Sequence, residues 1–87
     1  MPYIEPGDRE SVLADGALTP GELNYVITKM CDEYIDRHGM SYTRINDVIG
    51  VLECAKLEIY RRLAAPYEDK KIRENGDVYS PHLVTQP

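Results

Sequence analysis

The sequence predicts an all-α protein, an antiparallel helical hairpin with a kinked or short third helix that assembles as a homo-oligomer. Apolar residues recur at steps of three and four through two long segments, which is the period of an amphipathic helix. Helix-start and helix-stop residues bound these segments. The chain has 87 residues, and one core of this size contributes only about 3–5 kcal/mol. Partner subunits are therefore expected to supply the remaining stability.

Residues 1–18 are predicted to form an extended N-terminal arm, with one turn near residues 8–13. Two prolines and two glycines interrupt this segment, and no helical period is sustained in it. The hairpin domain is expected over residues 19–79. Residues 80–87 contain two prolines and are expected to be a flexible tail.

The first long helix is predicted over residues 19–38. Thr19 and Glu22 have the spacing of a capping box, in which Thr19 caps the N–H of Glu22 and the Glu22 carboxylate reaches back to Thr19. Pro20 falls at the first helical position, where its missing N–H costs nothing. Gly39 fits the left-handed position after the helix end. The apolar stripe consists of Leu23, Val26, Ile27, Met30, Cys31, Tyr34 and Ile35.

The second helix is predicted over residues 42–65, with Ser41 as its cap and Met40 packed on Ile45 as a hydrophobic staple. Its linker from the first helix has two residues, which makes the two helices antiparallel neighbours. The predicted core face consists of Ile45, Val48, Ile49, Leu52, Ala55, Ile59 and Leu63.

The opposite side of this second helix carries a further apolar stripe. Gly50 and Cys54 are small and lie four residues apart, which lets another helix approach closely. We predict an oligomer interface formed by Gly50, Val51, Cys54 and Leu57. The alternative is that these are scattered apolar surface residues, which are common in monomeric proteins.

Pro66 kinks or ends the second helix, because it removes a backbone hydrogen bond and disfavours helical geometry at Ala65. We predict a short third helix that ends near Glu74, with Asn75 and Gly76 as its C-terminal cap. The alternative for residues 71–79 is a small β-hairpin, because Asn-Gly between apolar residues is a turn signal.

Composition limits the class of function. The net charge is −5, with all of the excess in residues 1–40, so duplex nucleic acid is not an expected partner. No apolar run reaches the roughly 18–20 residues of a membrane span, and the N-terminus lacks a signal pattern, so we expect a cytoplasmic protein with no membrane association. Cys31 and Cys54 lie within helical patterns, as in reduced intracellular proteins.

No metal site or cofactor is predicted. Cys31, His38, Cys54 and His82 lack the close pairs from which zinc sites are built. Glu33 and Asp36 match half of the ExxE…ExxD pattern with which all-α nucleotide pyrophosphatases of the MazG type hold magnesium. The other half is missing, because Glu53 is followed three residues later by Lys56. Asp32 lies beside Glu33 and Asp36 on the first helix, and Glu58 lies with Glu53 on the second. Asn46 and Glu53 could supply further ligands. We expect a protein that is not an enzyme, with a small Mg-dependent pyrophosphatase as an alternative.

The strongest candidate for a ligand site is a run of basic and aromatic residues. Six of the ten basic residues lie between Lys56 and Arg73. Arginine binds phosphates through two parallel hydrogen bonds, and tyrosine rings can stack on bases. In an oligomer, this run of one subunit could meet the start of the second helix of the next. The predicted ligand-binding residues are Tyr42, Arg44, Arg61, Arg62, Tyr67, Lys70, Lys71 and Arg73. The alternative is a solvated surface, in which Glu58, Glu68, Asp69 and Glu74 neutralise the run.

The segments TPGELNYVITK, INDVIGVLECAKLEIYRR and PYEDKKIRENGDVY resemble a family of short phage and prophage proteins without an established activity. At the level of shape, an aliphatic second helix that ends in basic residues and a proline is similar to the helical hairpin of phage anti-defence sponges. Those proteins form homo-oligomers that sequester cyclic nucleotide immune signals. The resemblance implies a viral or prophage origin and a non-enzymatic sponge for a cyclic or small nucleotide. The alternative is a structural or interaction module that binds a host or virion protein.

Overall fold

The structure, a computed structural model, describes residues 1–84 and contains no β-strand within them. Four α-helices follow in order: α1 (Arg9–Asp15), α2 (Pro20–His38), α3 (Tyr42–Ile59) and α4 (Ala65–Asn75). A π-helical turn, Tyr60–Ala64, connects α3 to α4, and short 3₁₀ turns precede α1 and follow α4. The all-α class predicted from the sequence is confirmed. Residues 85–87 of the predicted flexible tail lie outside the described part.

Backbone contacts divide the chain into two compact units, Met1–Gly50 and the residues from Val51 onward. The first unit contains α1, α2 and the beginning of α3. The second contains the end of α3, the π turn and α4. None of the helices in residues 1–84 is long and apolar enough to cross a membrane.

The N-terminal segment packs against α2 and is more ordered than the extended arm predicted from the sequence. The turn expected near residues 8–13 is present as the start of α1. Arg9 Nε donates a hydrogen bond to the carbonyl oxygen of Ile4 at 3.2 Å, and its guanidinium lies 5.7 Å from the centre of the Tyr25 ring. Val12 and Tyr25 are 5% and 8% exposed, and among residues 1–84 they are the two buried side chains. Burial of these two side chains removes apolar area from water and stabilises the packing of α1 on α2.

Helix α2 begins and ends as predicted, with one difference in its cap. Thr19 Oγ1 accepts a hydrogen bond from the backbone N–H of Glu22 at 3.1 Å. The Glu22 carboxylate accepts from the N–H of Leu18 at 3.1 Å, and not from that of Thr19 as expected. At the other end, Gly39 has a φ of 87° with a ψ of 135°, so the positive φ is confirmed but the left-handed helical region is not. Glycine suits this position because it has no Cβ.

Helix α3 begins with Ser41 Oγ accepting from the N–H of Arg44 at 3.2 Å, which confirms Ser41 as a cap. Met40 is largely exposed, so the predicted staple to Ile45 is wrong. Near the linker, the Tyr34 hydroxyl donates to Asp47 Oδ2 at 3.4 Å and connects α2 with α3.

The predicted core face of α3 is only partly covered. Ile45 and Val48 are half-buried, whereas Ile49, Leu52, Ala55, Ile59 and Leu63 are exposed. The prediction is therefore wrong for the five residues from Ile49 onward. The physical reason in the second unit is that α4 continues the same helical run after the π turn. A helix cannot cover its own side chains, so an apolar face needs a second element to bury it.

The π turn explains how Pro66 is accommodated. Ala65 N–H donates to the carbonyl oxygen of Tyr60, five residues earlier, in place of the usual four. This wider turn leaves room at the position where the proline lacks its N–H, so the chain remains helical instead of stopping. Helix α4 ends at Asn75, where the N–H of Gly76 donates to the carbonyl oxygen of Ile72 at 2.8 Å. The third helix is confirmed, and the alternative β-hairpin at residues 71–79 is wrong.

Candidate anion-binding and self-association surfaces

The predicted oligomer interface is an open surface in the isolated chain. We call Gly50, Val51, Cys54 and Leu57 the α3 stripe. All four residues are exposed, with Val51 at 66% and Leu57 at 56%. A Cβ added at Gly50 would meet no atom within 4 Å apart from its own helix, so the space above this residue is free. Cys54 is a free, exposed thiol.

The exposure extends beyond the stripe. Every residue from 51 to 63 is exposed, including apolar residues on both sides of the helix such as Leu63 at 69%. Single exposed apolar residues are normal in soluble proteins, but a continuous patch marks an interaction site. Within residues 51–84, therefore, no element covers the apolar residues on the two faces of this segment.

Acidic neighbours partly neutralise the basic run of the second unit. Arg61 pairs with Glu58, with 3.2 Å between Nη2 and Oε2. Lys71 and Lys70 both lie near Glu74, with nitrogen–oxygen distances of 3.2 and 3.9 Å. These are exposed pairs within one helical run, and pairs of this kind contribute little to stability. The solvated-surface interpretation thus holds for part of the run.

Two arginines of the run keep their charge available. Within residues 1–84, neither Arg62 nor Arg73 has a carboxylate within 4 Å. Both are exposed. An unpaired guanidinium retains all of its donors for a phosphate or carboxylate. These two residues are the freest cationic groups among the predicted ligand-binding residues.

Two aromatic residues of the second unit, Tyr60 and Tyr67, already contact other side chains. Lys71 Nζ lies 5.5 Å from the centre of the Tyr67 ring, a cation–π distance. The Tyr60 hydroxyl donates to Glu68 Oε1 at 2.6 Å. This hydrogen bond and the negative charge of Glu68 raise the pKa of Tyr60 above its usual value. The sequence does not indicate this pair, because residues eight positions apart lie about 12 Å apart along the axis of a regular helix.

Tyr42 and Arg44 belong to the first unit, whereas the other predicted ligand-binding residues belong to the second. Tyr42 is exposed. Arg44 Nη1 pairs with Asp47 Oδ2 at 2.9 Å. This hydrogen bond raises the pKa of Arg44 above its already high value, so the group is a cation at every physiological pH. Its predicted role as a ligand-binding residue stays a prediction.

The carboxylates considered for magnesium do not converge. No group of three or more His, Cys, Asp or Glu side chains in residues 1–84 is placed to hold a metal ion. Asp32 instead pairs with Lys29 at 2.8 Å, and this hydrogen bond raises the pKa of the lysine. The half-motif of Glu33 and Asp36 therefore lies on an ordinary charged helix face.

The chain matches a known protein family. A family model described as "Domain of unknown function (DUF6899)" matches residues 1–78. No curated protein and no solved structure matches the chain.

Proposed function

The chain belongs to the DUF6899 family, and from this premise we propose that it is a non-catalytic, homo-oligomeric binding protein for an anionic ligand. The ligand we propose is a nucleotide-type signal, and the biological role is its sequestration by a protein of phage or prophage origin. The resemblance of three sequence segments to phage proteins supports the origin. The exposed apolar helix and the free arginines support the oligomer and the ligand.

One observation carries this proposal, namely the exposure of every residue from 51 to 63. An exposed apolar helix face is stabilised when a second element covers it and removes it from water. In the proposed assembly, copies of the chain cover this surface.

The predicted antiparallel hairpin of α2 and α3 is part of the same proposal. The linker between these helices, residues 39–41, is short, and short linkers join antiparallel neighbours. The bond from Tyr34 to Asp47 supports contact between the two helices at this end. Formation of the hairpin leaves the α3 stripe available to other copies, because the stripe and the half-buried Ile45 and Val48 lie on different sides of the helix.

The proposed ligand site uses Arg62 and Arg73 as free phosphate-binding groups, with Arg61, Lys70 and Lys71 adding positive potential. A ligand with several phosphates can displace exposed carboxylates such as Glu58, because exposed ion pairs are weak. Tyr67 supplies a flat apolar surface for a base. The uneven charge favours a small anion over duplex nucleic acid, whose binding needs a broad basic surface.

Native mass spectrometry and light scattering test the assembly. At micromolar concentration we expect a defined oligomer, with dissociation on dilution. A stable monomer of 9.9 kDa would contradict the proposed homo-oligomer. The same mass spectra, recorded on freshly purified protein, reveal any small molecule that is retained.

Thermal shift with cyclic mono-, di- and trinucleotides tests the ligand. We expect a ligand that stabilises the wild type by several degrees, with loss of this effect in the double variant Arg61→Ala, Arg62→Ala. The matched control is Arg37→Ala, which removes one exposed positive charge from the C-terminal end of α2. The double variant must retain the wild-type oligomer. Absence of any shift in the wild type with these nucleotides would end the nucleotide proposal.

A second candidate is a structural or interaction module for a host or virion protein. The observation that favours it is the pairing of Arg61, Lys70 and Lys71 with carboxylates, which lowers the charge available to a free anion. In this case the oligomer forms, no nucleotide shifts the melting temperature, and one protein partner binds in stoichiometric amount.

A further inference from the structure

We infer that the hydrogen bond between Tyr60 and Glu68 holds the end of α3 and the whole of α4 in a fixed mutual orientation across Pro66. We call this bond the junction clasp. Without the clasp, the helical run bends at the proline and α4 changes its direction relative to the end of α3. The inference is independent of the proposed oligomer and of its ligand.

The junction clasp crosses the proline. The Tyr60 hydroxyl donates to Glu68 Oε1 at 2.6 Å, the short distance of a charge-assisted bond. Within residues 1–84, it is the one side-chain hydrogen bond or ion pair that joins a residue before Pro66 to a residue after it. The ion pairs of Lys56 and Arg61 lie before the proline, and those of α4 lie after it. Only the clasp therefore connects the side chains of the two segments.

The π turn brings the two residues of the clasp together. In a regular helix, eight residues rise about 12 Å and leave the second side chain about 80° away around the axis. The π turn closes with the N–H of Ala65 on the carbonyl oxygen of Tyr60, so it takes about one more residue than an α turn. One π turn and one α turn together hold about eight residues. Glu68 consequently lies two turns after Tyr60 on the same side of the run.

Little else stabilises the direction of the chain at this junction. Pro66 has no N–H, so the helix lacks a backbone hydrogen bond there. Apart from the half-buried Ala64 and Ala65, every residue from 51 to 83 is exposed, and helices in proteins depend mainly on packing for their stability. Sharp helix bends occur at prolines and at π turns. A side-chain bond that spans both features therefore controls how firmly the two segments are joined.

Spin-label distances across the junction test the clasp. Labels are attached to Glu53→Cys and Asp69→Cys in a chain that also carries Cys31→Ser and Cys54→Ser. An excess of unlabelled chain is added so that distances within one molecule dominate. The two labelled positions are about 24 Å apart along the axis of the run. We expect a single narrow distance distribution, and a distribution about twice as broad in Tyr60→Phe because the proline junction then bends.

Tyr67→Phe is the matched control, because it removes the same hydroxyl group from another exposed tyrosine. This variant should keep the wild-type distance distribution. Glu68→Gln should largely keep it as well, since an amide oxygen still accepts a hydrogen bond from Tyr60. Glu68→Ala should broaden the distribution as Tyr60→Phe does. An unchanged distribution in either Tyr60→Phe or Glu68→Ala would overturn the inference.

Amide hydrogen exchange gives a second measurement without labels. The N–H of Ala65 is bonded to the carbonyl oxygen of Tyr60, and a bend at the junction opens this bond. Its exchange should be about threefold faster or more in Tyr60→Phe, with the helical content from circular dichroism unchanged. Equal exchange rates in the two chains would contradict the clasp. Failure of the proposed homo-oligomer looks different, because it appears as a monomer in light scattering and leaves both measurements as they are.

Discussion

The N-terminal half of the chain covers apolar side chains with its own residues, whereas the middle of the chain does not. In the first unit, α1 and the segment before it pack on α2 and bury Val12 and Tyr25. In the second unit, residues 51–63 are helical but contain no buried side chain. Both regions have amphipathic sequences, so an apolar pattern predicts a helix without predicting what covers it. Burial within the first unit stabilises the chain to the same extent at every protein concentration. In the proposed oligomer, burial of residues 51–63 by other copies stabilises the chain more as the concentration rises.

The largest effect is expected from Tyr25→Ala in the first unit. The change removes one of the two side chains that are buried among residues 1–84, and with it the ring that Arg9 contacts. Loss of a buried aromatic residue costs about 3 kcal/mol or more. Denaturant unfolding measures this loss, which should be the same at every protein concentration. Tyr42→Ala is the control, because this ring is exposed and its loss should cost less than about 0.5 kcal/mol. Equal effects of the two variants would contradict the proposed core.

The next effect is expected from Leu57→Glu in the α3 stripe. A carboxylate placed in an apolar interface loses its hydration, so the dissociation constant of the oligomer should rise about 100-fold, equivalent to about 2.7 kcal/mol. Sedimentation or light scattering over a dilution series measures the change. Leu18→Glu is the matched control, since Leu18 is 91% exposed and lies outside the stripe. If the Leu57 variant forms the same oligomer as the wild type, the α3 stripe is not part of the interface.

A smaller effect is expected from Thr19→Ala at the cap of α2. The variant loses the hydrogen bond to the N–H of Glu22, and loss of such a cap costs about 1 kcal/mol. Circular dichroism during urea unfolding measures the change. Thr43→Ala, at an exposed position inside α3, should cost nothing because alanine favours the helix. If the two variants unfold alike, the cap does not stabilise α2.

The smallest effect concerns the hydrogen bond between Tyr60 and Glu68 across the π turn. The pKa of Tyr60 is raised by this bond and then by the charge of Glu68. Because the pKa of Tyr60 is raised in the folded state, its hydrogen bond to Glu68 stabilises the fold fully at pH values below the usual tyrosine pKa of about 10. It is lost as the pH rises through the higher folded value. Carbon-13 NMR of the tyrosine rings should show a lower Tyr60 midpoint in Glu68→Gln, with Tyr3 unchanged as the control.

The sequence predicted those parts of the fold that depend on local chemistry. Thr19, Ser41 and Gly76 bound helices as expected, because caps and positive φ angles are properties of a few adjacent residues. The third helix, with Asn75 and Gly76 at its end, is a further element that adjacent residues predict. The cap partner of Glu22 shifted by one residue to Leu18, a difference smaller than the reach of a glutamate side chain.

The parts that could not be predicted depend on contacts distant in sequence. Residues 6–15 are helical in a structure in which Val12 and Tyr25 are buried. No local sequence pattern predicts that burial. Periodicity placed Ile59 and Leu63 on the core face without showing whether another element lies across them. Among the candidate site residues, the sequence suggested the pairing of Arg61 with Glu58. It could not show that, within residues 1–84, Arg62 and Arg73 have no carboxylate within 4 Å.

The π turn at Tyr60–Ala64 limits the length of the apolar α3 stripe that we propose as the oligomer interface. A turn with a hydrogen bond to the fifth residue takes in more chain per revolution than a regular helix. Side chains after Ala64 are therefore rotated relative to those of α3, and the apolar stripe does not continue in line along α4. In the proposed oligomer, the α3 stripe is therefore a contact surface of bounded length, and the charged helix α4 presents different side chains on that side. Deletion of one residue from the π turn would bring α3 and α4 back into phase and lengthen the aligned face.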